Sequence, residues 1–253
     1  MELNLKNKKV LIIGASKGIG EAITCEFAKE EANIVAVART ESLLKEVGCK
    51  CLQLSAASFN YLTADILNGD IKDITKTLID NYGPFDIVVH NVGTSLVSRN
   101  IHGGYKDWNE ALKINALAAI EMNSQLIPNM IKNDVAGHVI HVSSISATYL
   151  RGNPLYASSK AFLNAYVVTA GRELAPQGIV LSAVMPGAVA FCGSYWDNLI
   201  QENNPKVDDF LRHHQAIGRF GTPEEIASLV VFLASDKSSF MPGSIVPVDG
   251  GNM

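Results

Sequence analysis

"KVLIIGASKGIGEAITCEFAKEEA", residues 9–32, holds two hydrophobic periods in one stretch. Its first residues form a short continuous apolar run, which suits a strand buried on both faces. From Ile19 onward the apolar residues recur at helical spacing and are separated by charges. Between the two, Gly14, Gly18 and Gly20 stand where the strand turns into the helix. Glycine allows a tight turn and lets a ligand approach the backbone, while the helix behind it offers unpaired N–H groups and a positive dipole end. The spacing is G-x-x-x-G-x-G, a variant of the commoner G-x-G-x-x-G phosphate turn. Ser16, Lys17 and Ile19 complete the turn and belong to the same candidate anion site.

The same alternation runs down the chain. "NIVAVA", "YLTAD", "DIVVHN", "GHVIHVSS", "IVLSAVMPG" and "GSIVPVDGG" read as strands, most of them with helical segments between, such as "DITKTLIDNYG", "SSKAFLNAYVVTAGRELA" and "EEIASLVVFLAS". Near-continuous apolar strands separated by helices are βαβ units around a parallel sheet covered on both faces. The prediction is an α/β fold: a Rossmann-type, doubly wound parallel sheet of about seven strands in a three-layer αβα arrangement. With 253 residues and 47% hydrophobic content, a single domain over 1–253 is expected. Residues 191–217 break the alternation with polar, partly helical sequence, and an insertion of that size after a strand is a candidate substrate lid.

Bulk properties narrow the partners. A net charge of -4 without a Lys/Arg cluster argues against nucleic acid or an anionic membrane, leaving a small molecule as the expected partner. Cys25, Cys49, Cys51 and Cys192 follow no disulfide-framework or zinc spacing, so a reducing, cytoplasmic setting is expected. The opening run is too short for a secretory signal, and "IVLSAVMPGAVAFC" is broken by Pro186 and falls short of the ~20 residues a spanning helix needs. None of the six histidines forms a ligand cluster, and no metal is expected.

Residues 14–18 also satisfy G-x-S-x-G, with Ser16 as a hydrolase nucleophile. That reading needs a catalytic His further along a deeper strand, and no His follows His214. A dinucleotide fits better, and its type is legible at the end of the second strand. NAD sites usually carry an acidic residue there for the ribose 2′-hydroxyl, whereas a 2′-phosphate calls for positive charge. Ala38 stands at that position, Arg39 follows, and Lys17 adds a second cation, so NADP(H) is the expected cofactor.

Tyr156 and Lys160 in "YASSK" stand at i and i+4, and share one face if a helix begins near Pro154. A phenol of pKa about 10 is a poor acid–base group at neutral pH, and a nearby ammonium brings it toward the working range. Taken alone, such a pair is better explained by a core-facing Tyr with a solvated Lys.

The ordered set of glycine-rich turn, "HNVG" at 90–93, Asn115 in "KINALA", "HVSSIS", "YASSK", "MPGAV" and "RFGTPEEIASLVVFLASDKSSFMPGSIVPVDGG" resembles the short-chain dehydrogenase/reductase family across essentially the whole chain. The resemblance implies that Tyr156 is general acid in carbonyl reduction and base in the reverse direction, and that Lys160 lowers its pKa and holds the nicotinamide ribose. It implies that a Ser polarises the carbonyl and that Asn115 sustains a water-linked proton relay. Asp65 and Ile66 match the segment contacting adenine, Asn91 and Gly93 the one beside the riboses, and Pro186, Gly187 and Val189 the "MPGAV" cofactor segment. A homotetramer or dimer is also implied.

The chain departs from the family pattern in places. Ile13 replaces the usual Thr, His90 and Val92 alter the usual N-N-A-G, and Phe191 stands where many members place a Thr that binds the nicotinamide carboxamide. Counting back from Tyr156 points to Ser143 as the carbonyl-polarising Ser; aligning the strand end points to Ser144, the preferred assignment because loop lengths vary more than strand ends. Phe191, Tyr195 and Trp196 are expected either to line a substrate pocket or to fill the lid's own small core. The expected activity is NADP(H)-dependent interconversion of a ketone and a secondary alcohol, with a 3-oxoacyl thioester as one substrate class. A sugar derivative or secondary metabolite is the alternative, and a non-catalytic NADP(H) sensor the rival of another class.

Overall fold

The computed structural model describes residues 2–95, 102–149 and 152–252. In chain order the elements are β1 (Lys9–Ile13), α1 (Gly18–Lys29), β2 (Asn33–Ala38), α2 (Glu41–Gln53), β3 (Ser58–Thr63), α3 (Ile71–Tyr82), β4 (Ile87–His90), α4 (Tyr105–Leu112), α5 (Ala118–Lys132), β5 (His138–Val142), α6 (Ser146–Tyr149), α7 (Pro154–Leu174), β6 (Val180–Pro186), α8 (Tyr195–Gln201), α9 (Lys206–His214), α10 (Pro223–Leu233) and β7 (Ile245–Val248). The seven strands form one sheet in the order β3-β2-β1-β4-β5-β6-β7, and every pairing is parallel.

Alternation within each strand explains the layering. Val10, Ile12, Ile34 and Val89 pack with Ile23 and Phe27 of α1, Leu44 of α2 and Ile226 of α10 on one face. Leu11, Ile13, Val37 and Val88 pack with Leu78 of α3, Met122 and Leu126 of α5 and Val167 of α7 on the other. Strands buried on both faces therefore read as unbroken apolar runs. Burial of each large aliphatic side chain contributes about 1.5–3 kcal/mol, so both layers are held tightly.

Three local features differ from the sequence reading. The polar segment after β2 folds as α2, whose buried stripe is only Leu44, Val47, Gly48 and Cys51. Edge strand β3 starts at Ser58, and none of its residues is fully buried, with Asn60 and Thr63 exposed, which is why its pattern is weak. The long helical stretch around 108–131 is divided between α4 and α5 by a wider π turn at Lys113–Leu117. No helix among the described residues is long and apolar enough to cross a membrane.

The sheet order reverses between β1 and β4, and the chain leaves their carboxyl ends toward opposite faces of the sheet, to α1 on one and α5 on the other. Crevices at such a switch point are the ligand sites of open α/β sheets.

Candidate active site

The switch point opens into a cleft of about 1190 Å³. At one end lies the glycine-rich turn, with Gly14, Ser16, Lys17 and Ile19 on the wall. The N-cap of α1, Lys17, makes no side-chain capping bond, so the helix presents its first N–H groups uncapped by a side chain. Asn91, at the end of β4, donates from Nδ2 to the Gly14 carbonyl at 2.9 Å and clasps the turn across the switch point.

Gly18 and Gly20 do not line the cleft. A methyl group on Gly20 would collide with the Gly14 carbonyl and approach Asn91 Nδ2 to 2.5 Å, so Gly20 lets α1 pack directly against the turn. Gly18 adopts φ +56°, and a methyl group there would lie 2.5 Å from the Phe191 ring, which covers it. Phe191 thus reaches the phosphate turn from the β6 side, where Pro186, Gly187 and Val189 also line the cleft.

Farther out, Arg39 is exposed at the mouth, with Asp65 and buried Ile66 beside it. The Asp65 carboxylate accepts from Leu67 N at 2.9 Å and from Asn68 Nδ2 at 2.9 Å. Those bonds hold its pKa below the usual range, the Asn68 side chain contributing most. Its side chain is a turn cap, as polar groups at strand ends often are.

The inner wall carries the titratable groups. Asn153 caps α7 by accepting from Leu155 N at 3.0 Å, and Pro154 occupies the first turn, where its missing N–H costs nothing. The helix therefore starts where the sequence predicts, with Tyr156 and Lys160 one turn apart on the cleft side. The Ser144 hydroxyl stands beside the Tyr156 phenol, where a hydrogen bond from it would draw the phenol pKa down. Ser146 N donates to Ser144 Oγ at 3.1 Å. Ser143 turns away and donates to Asn164 Oδ1 at 2.6 Å. Of the two candidate serines, the structure brings only Ser144 to the phenol.

Lys160 is 2% exposed, and its ammonium donates to the Val142 carbonyl at 2.8 Å. Burial pulls its pKa down to about 8. Burial also raises the Tyr156 phenol above its ordinary value, with the Ser144 hydroxyl working against it. The expectation that the ammonium would govern the phenol is corrected here: desolvation dominates both groups, because a buried site penalises whichever form is charged.

Asn115 does not line the cleft. It sits in the π turn, 2% exposed, accepting from Thr94 N at 2.8 Å and donating to the Ala111 carbonyl at 3.1 Å. A methyl group on Gly93 would lie 3.0 Å from both Asn115 Oδ1 and Lys160 Nζ, so Asn115 backs the wall where Gly93 and Lys160 line it, and Gly93 keeps that space open.

Other features went unread in the sequence. His90 and His141 are register partners on β4 and β5 and stack at 4.8 Å between ring centroids. Asn123 Oδ1 lies 2.8 Å from His90 Nε2, and its Nδ2 lies 3.1 Å from His141 Nε2 and donates to Tyr166 Oη at 3.2 Å. Burial lowers the His90 pKa to about 4 and that of His141 well below its usual value. Thr40, Leu43, Ser95, Ser146 and Asn198 also line the cleft. Nothing in their local sequence marks them, because their contribution comes from where loops end.

Phe191, Tyr195 and Trp196 all line the cleft, and Trp196 also packs its ring 4.4 Å from Phe210 and 4.8 Å from Phe220 between centroids. Both readings of these aromatics therefore hold at Trp196. His213 Nδ1 lies 3.1 Å from Asp209 Oδ1 on α9. Among the described residues no group of three or more His, Cys, Asp or Glu is placed to hold a metal ion.

The residues present fit a nicotinamide dinucleotide: a glycine cradle at a helix N-terminus, cations at the outer mouth, and a phenol, hydroxyl and amine at the inner wall. The comparisons agree. A family model described as enoyl-(acyl carrier protein) reductase matches residues 14–252. The 3-oxoacyl-[acyl-carrier-protein] reductase FabG of Thermotoga maritima is 32% identical over 257 residues, covering 98% of this chain and 99% of that protein. L-sorbose reductase from Gluconobacter frateurii, solved with NADPH and L-sorbose, superposes with a TM-score of 0.90 at 27% identity over 99% of this chain and 98% of that one. A 7α-hydroxysteroid dehydrogenase, solved with NADH and 7-oxoglycochenodeoxycholic acid, gives 0.88 at 27% identity over 100% and 96%. Sequence, sheet order and cleft together make the chain a member of the short-chain dehydrogenase/reductase family, an oxidoreductase of CH–OH and C=O groups that uses a nicotinamide cofactor.

Proposed function

We propose that this protein is an NADP(H)-dependent reductase of ketones to secondary alcohols, with Tyr156, Ser144, Lys160 and Asn115 as its chemical group. The observation that carries the reading is Tyr156 and Lys160 one helical turn apart on the inner wall, with Ser144 beside the phenol, in a cleft whose far end is the glycine-rich turn.

When bound, the dihydronicotinamide supplies hydride to the carbonyl carbon. The protein's residues manage the oxygen. Ser144 and Tyr156 present hydroxyl protons to the carbonyl oxygen, and negative charge develops there as the carbon is reduced. Tyr156 then gives its proton to that oxygen. A phenol whose pKa burial has raised stays protonated at neutral pH, the form an acid needs in the reductive direction. Lys160, with its pKa lowered to about 8, would hold a ribose hydroxyl of the cofactor and exchange protons near neutrality. Asn115 fixes the Thr94 backbone and the space around that amine, a positioning role.

Arg39 and Lys17 at the outer mouth, with Ala38 where an acid would disfavour phosphate, support NADP(H) over NAD(H). The segment holding α8 and α9 supports a lid: it walls the cleft with Tyr195 and Trp196 while its own core is a small aromatic cluster. Exposed Phe162 on α7, fully exposed Phe240 and edge strand β7 support self-association as a dimer or tetramer.

Two substrate classes remain in play. The FabG relative supports a 3-oxoacyl thioester. The polar groups of Ser95, Ser146, Asn153 and Asn198 around Tyr195 and Trp196 favour a hydroxylated ketone such as a ketose, in line with the sorbose reductase likeness. Loss of NADPH absorbance against a panel of 3-oxoacyl thioesters, ketoses and simple ketones tests the proposal. Turnover of one class selects it; tight NADPH binding without turnover of any would make the protein a sensor and end the enzymatic reading.

A further inference from the structure

Two thiols outside the cleft lie against each other. Cys25 is on α1 and Cys51 on α2, and the helices pack side by side, with Lys50 Nζ 2.6 Å from Glu21 Oε1 across their seam. Cys25 and Cys51 are each the largest influence on the other's ionisation, as neighbouring thiols across the seam are. Cys51 Sγ also lies 3.8 Å from the Thr24 carbonyl oxygen, which fixes it beside residue 25 independently. All four cysteines of the chain are free.

Their surroundings differ in a useful way. Cys25 is half-buried, whereas Cys51 is fully buried. The neighbouring Cys51 pulls the Cys25 thiol down, opposed by burial and Glu21 and aided by Lys50 and Lys29. Cys25, with burial, pushes the Cys51 thiol up. The less buried thiol thus ionises first, and its neighbour keeps a proton in reserve. Such an asymmetric pair is the arrangement in which one thiolate attacks an oxidant and a second thiol resolves the product.

We infer that Cys25 and Cys51 form a hydroperoxide-sensitive dithiol that closes to a disulfide joining α1 and α2. The Cys25 thiolate attacks the outer peroxide oxygen, the O–O bond breaks, and the departing oxygen leaves as water after taking a proton. This yields a sulfenic acid at Cys25. The Cys51 sulfur then attacks Cys25 Sγ, its proton joins the leaving hydroxyl, and a second water departs as the S–S bond forms. Two electrons from the thiol pair reduce one hydrogen peroxide to two waters. With Cys51 Sγ already against the backbone at residues 24 and 25, the sulfurs would reach the ~2.05 Å bond length mainly by side-chain rotation. The cross-link would tie the helix presenting the phosphate turn to the one that follows Arg39, so closure would stiffen the outer half of the cleft.

The test uses the full-length protein treated with a small molar excess of hydrogen peroxide. Free-thiol titration should fall from four to two, peptide mapping should find Cys25 joined to Cys51, and dithiothreitol should restore all four. Cys25→Ser should abolish the cross-link. Cys51→Ala should stop the reaction at a dimedone-trappable sulfenic acid on Cys25. Cys49→Ser and Cys192→Ser should leave the cross-link intact. Peroxide that instead modifies exposed Cys49 or Cys192 first, links separate chains, or leaves Cys25 and Cys51 reduced overturns the inference. Peptide mapping of the unmutated protein decides the matter even if a variant fails to fold.

Discussion

The two ends of the cleft are built from different materials. The phosphate end is backbone: glycines at Gly14 and Gly20, the uncapped start of α1, and the Asn91 clasp. The chemical end is side chains on separate elements: Ser144 after β5, Tyr156 and Lys160 on α7 and the α8 aromatics, with Asn115 of the π turn backing the wall. Backbone recognition depends on close approach, and a single added carbon ruins it. Side-chain recognition depends on three or four groups meeting, so losing one removes its function and leaves the frame standing. The difference teaches that cofactor affinity and turnover should be separable by mutation.

The sharpest break is Tyr156→Phe. Removing the phenol proton should lower kcat/KM for ketone reduction by ~10²- to 10⁴-fold, the usual worth of a general acid, while NADPH affinity changes little. Stopped-flow binding beside steady-state assays reads both. A parallel fall in affinity would mean that the two ends are not independent.

The converse break is Gly20→Ala. The added methyl meets the Gly14 backbone, which cannot move away as a side chain would, so overpacking of about 1–3 kcal/mol is expected. Thermal melts should show the loss, and NADPH affinity should fall more than kcat.

Acid probes the layer that joins the ends. His90 titrates near 4 in the fold and near 6.5 when exposed, and His141 is lowered in the same direction. As the pH falls below about 6.5 the unfolded chain takes protons that the folded one refuses. Stability contributed by the neutral rings is therefore full above that value and lost toward pH 4, at up to ~1.4 kcal/mol per unit for each ring. The groups facing the rings are Asn123 from α5, Tyr166 from α7 and, electrostatically, Lys160. Melting temperature against pH should show the slope, and His90→Asn should flatten it.

Smaller effects sharpen the outer mouth and the lid. Arg39→Asp should shift preference from NADPH toward NADH by roughly tenfold, the low end for a charged hydrogen bond at an exposed site. Matched kinetics with both cofactors check it, and an unchanged ratio would remove Arg39 from phosphate recognition. Trp196→Ala should raise substrate KM by a few-fold and leave NADPH affinity alone, with its loss of packing on Phe210 and Phe220 visible as a modest drop in melting temperature.

What could be read in advance follows the same division. The glycine-rich turn is contiguous, and its strand and helix are adjacent in the chain, so local periodicity exposed it. The same holds for Tyr156 and Lys160, one turn apart on a helix whose Asn153 cap and Pro154 start are local signals. The stacked His90 and His141 were not legible, because their contact depends on β4 pairing with β5. Phe191 was flagged as a departure, but its ring covering Gly18 could be learned only from the fold.

The sequence alone determined the alternation of strands and helices, the phosphate turn and the Tyr156 and Lys160 spacing, because each depends on residues within a turn or two of one another. Only the tertiary structure set Ser144 rather than Ser143 beside the phenol, placed Asn115 behind the wall, made burial the dominant influence on the phenol and the amine, and brought Cys25 near Cys51. Those outcomes depend on how distant segments pack and how much water they exclude, which no local pattern encodes.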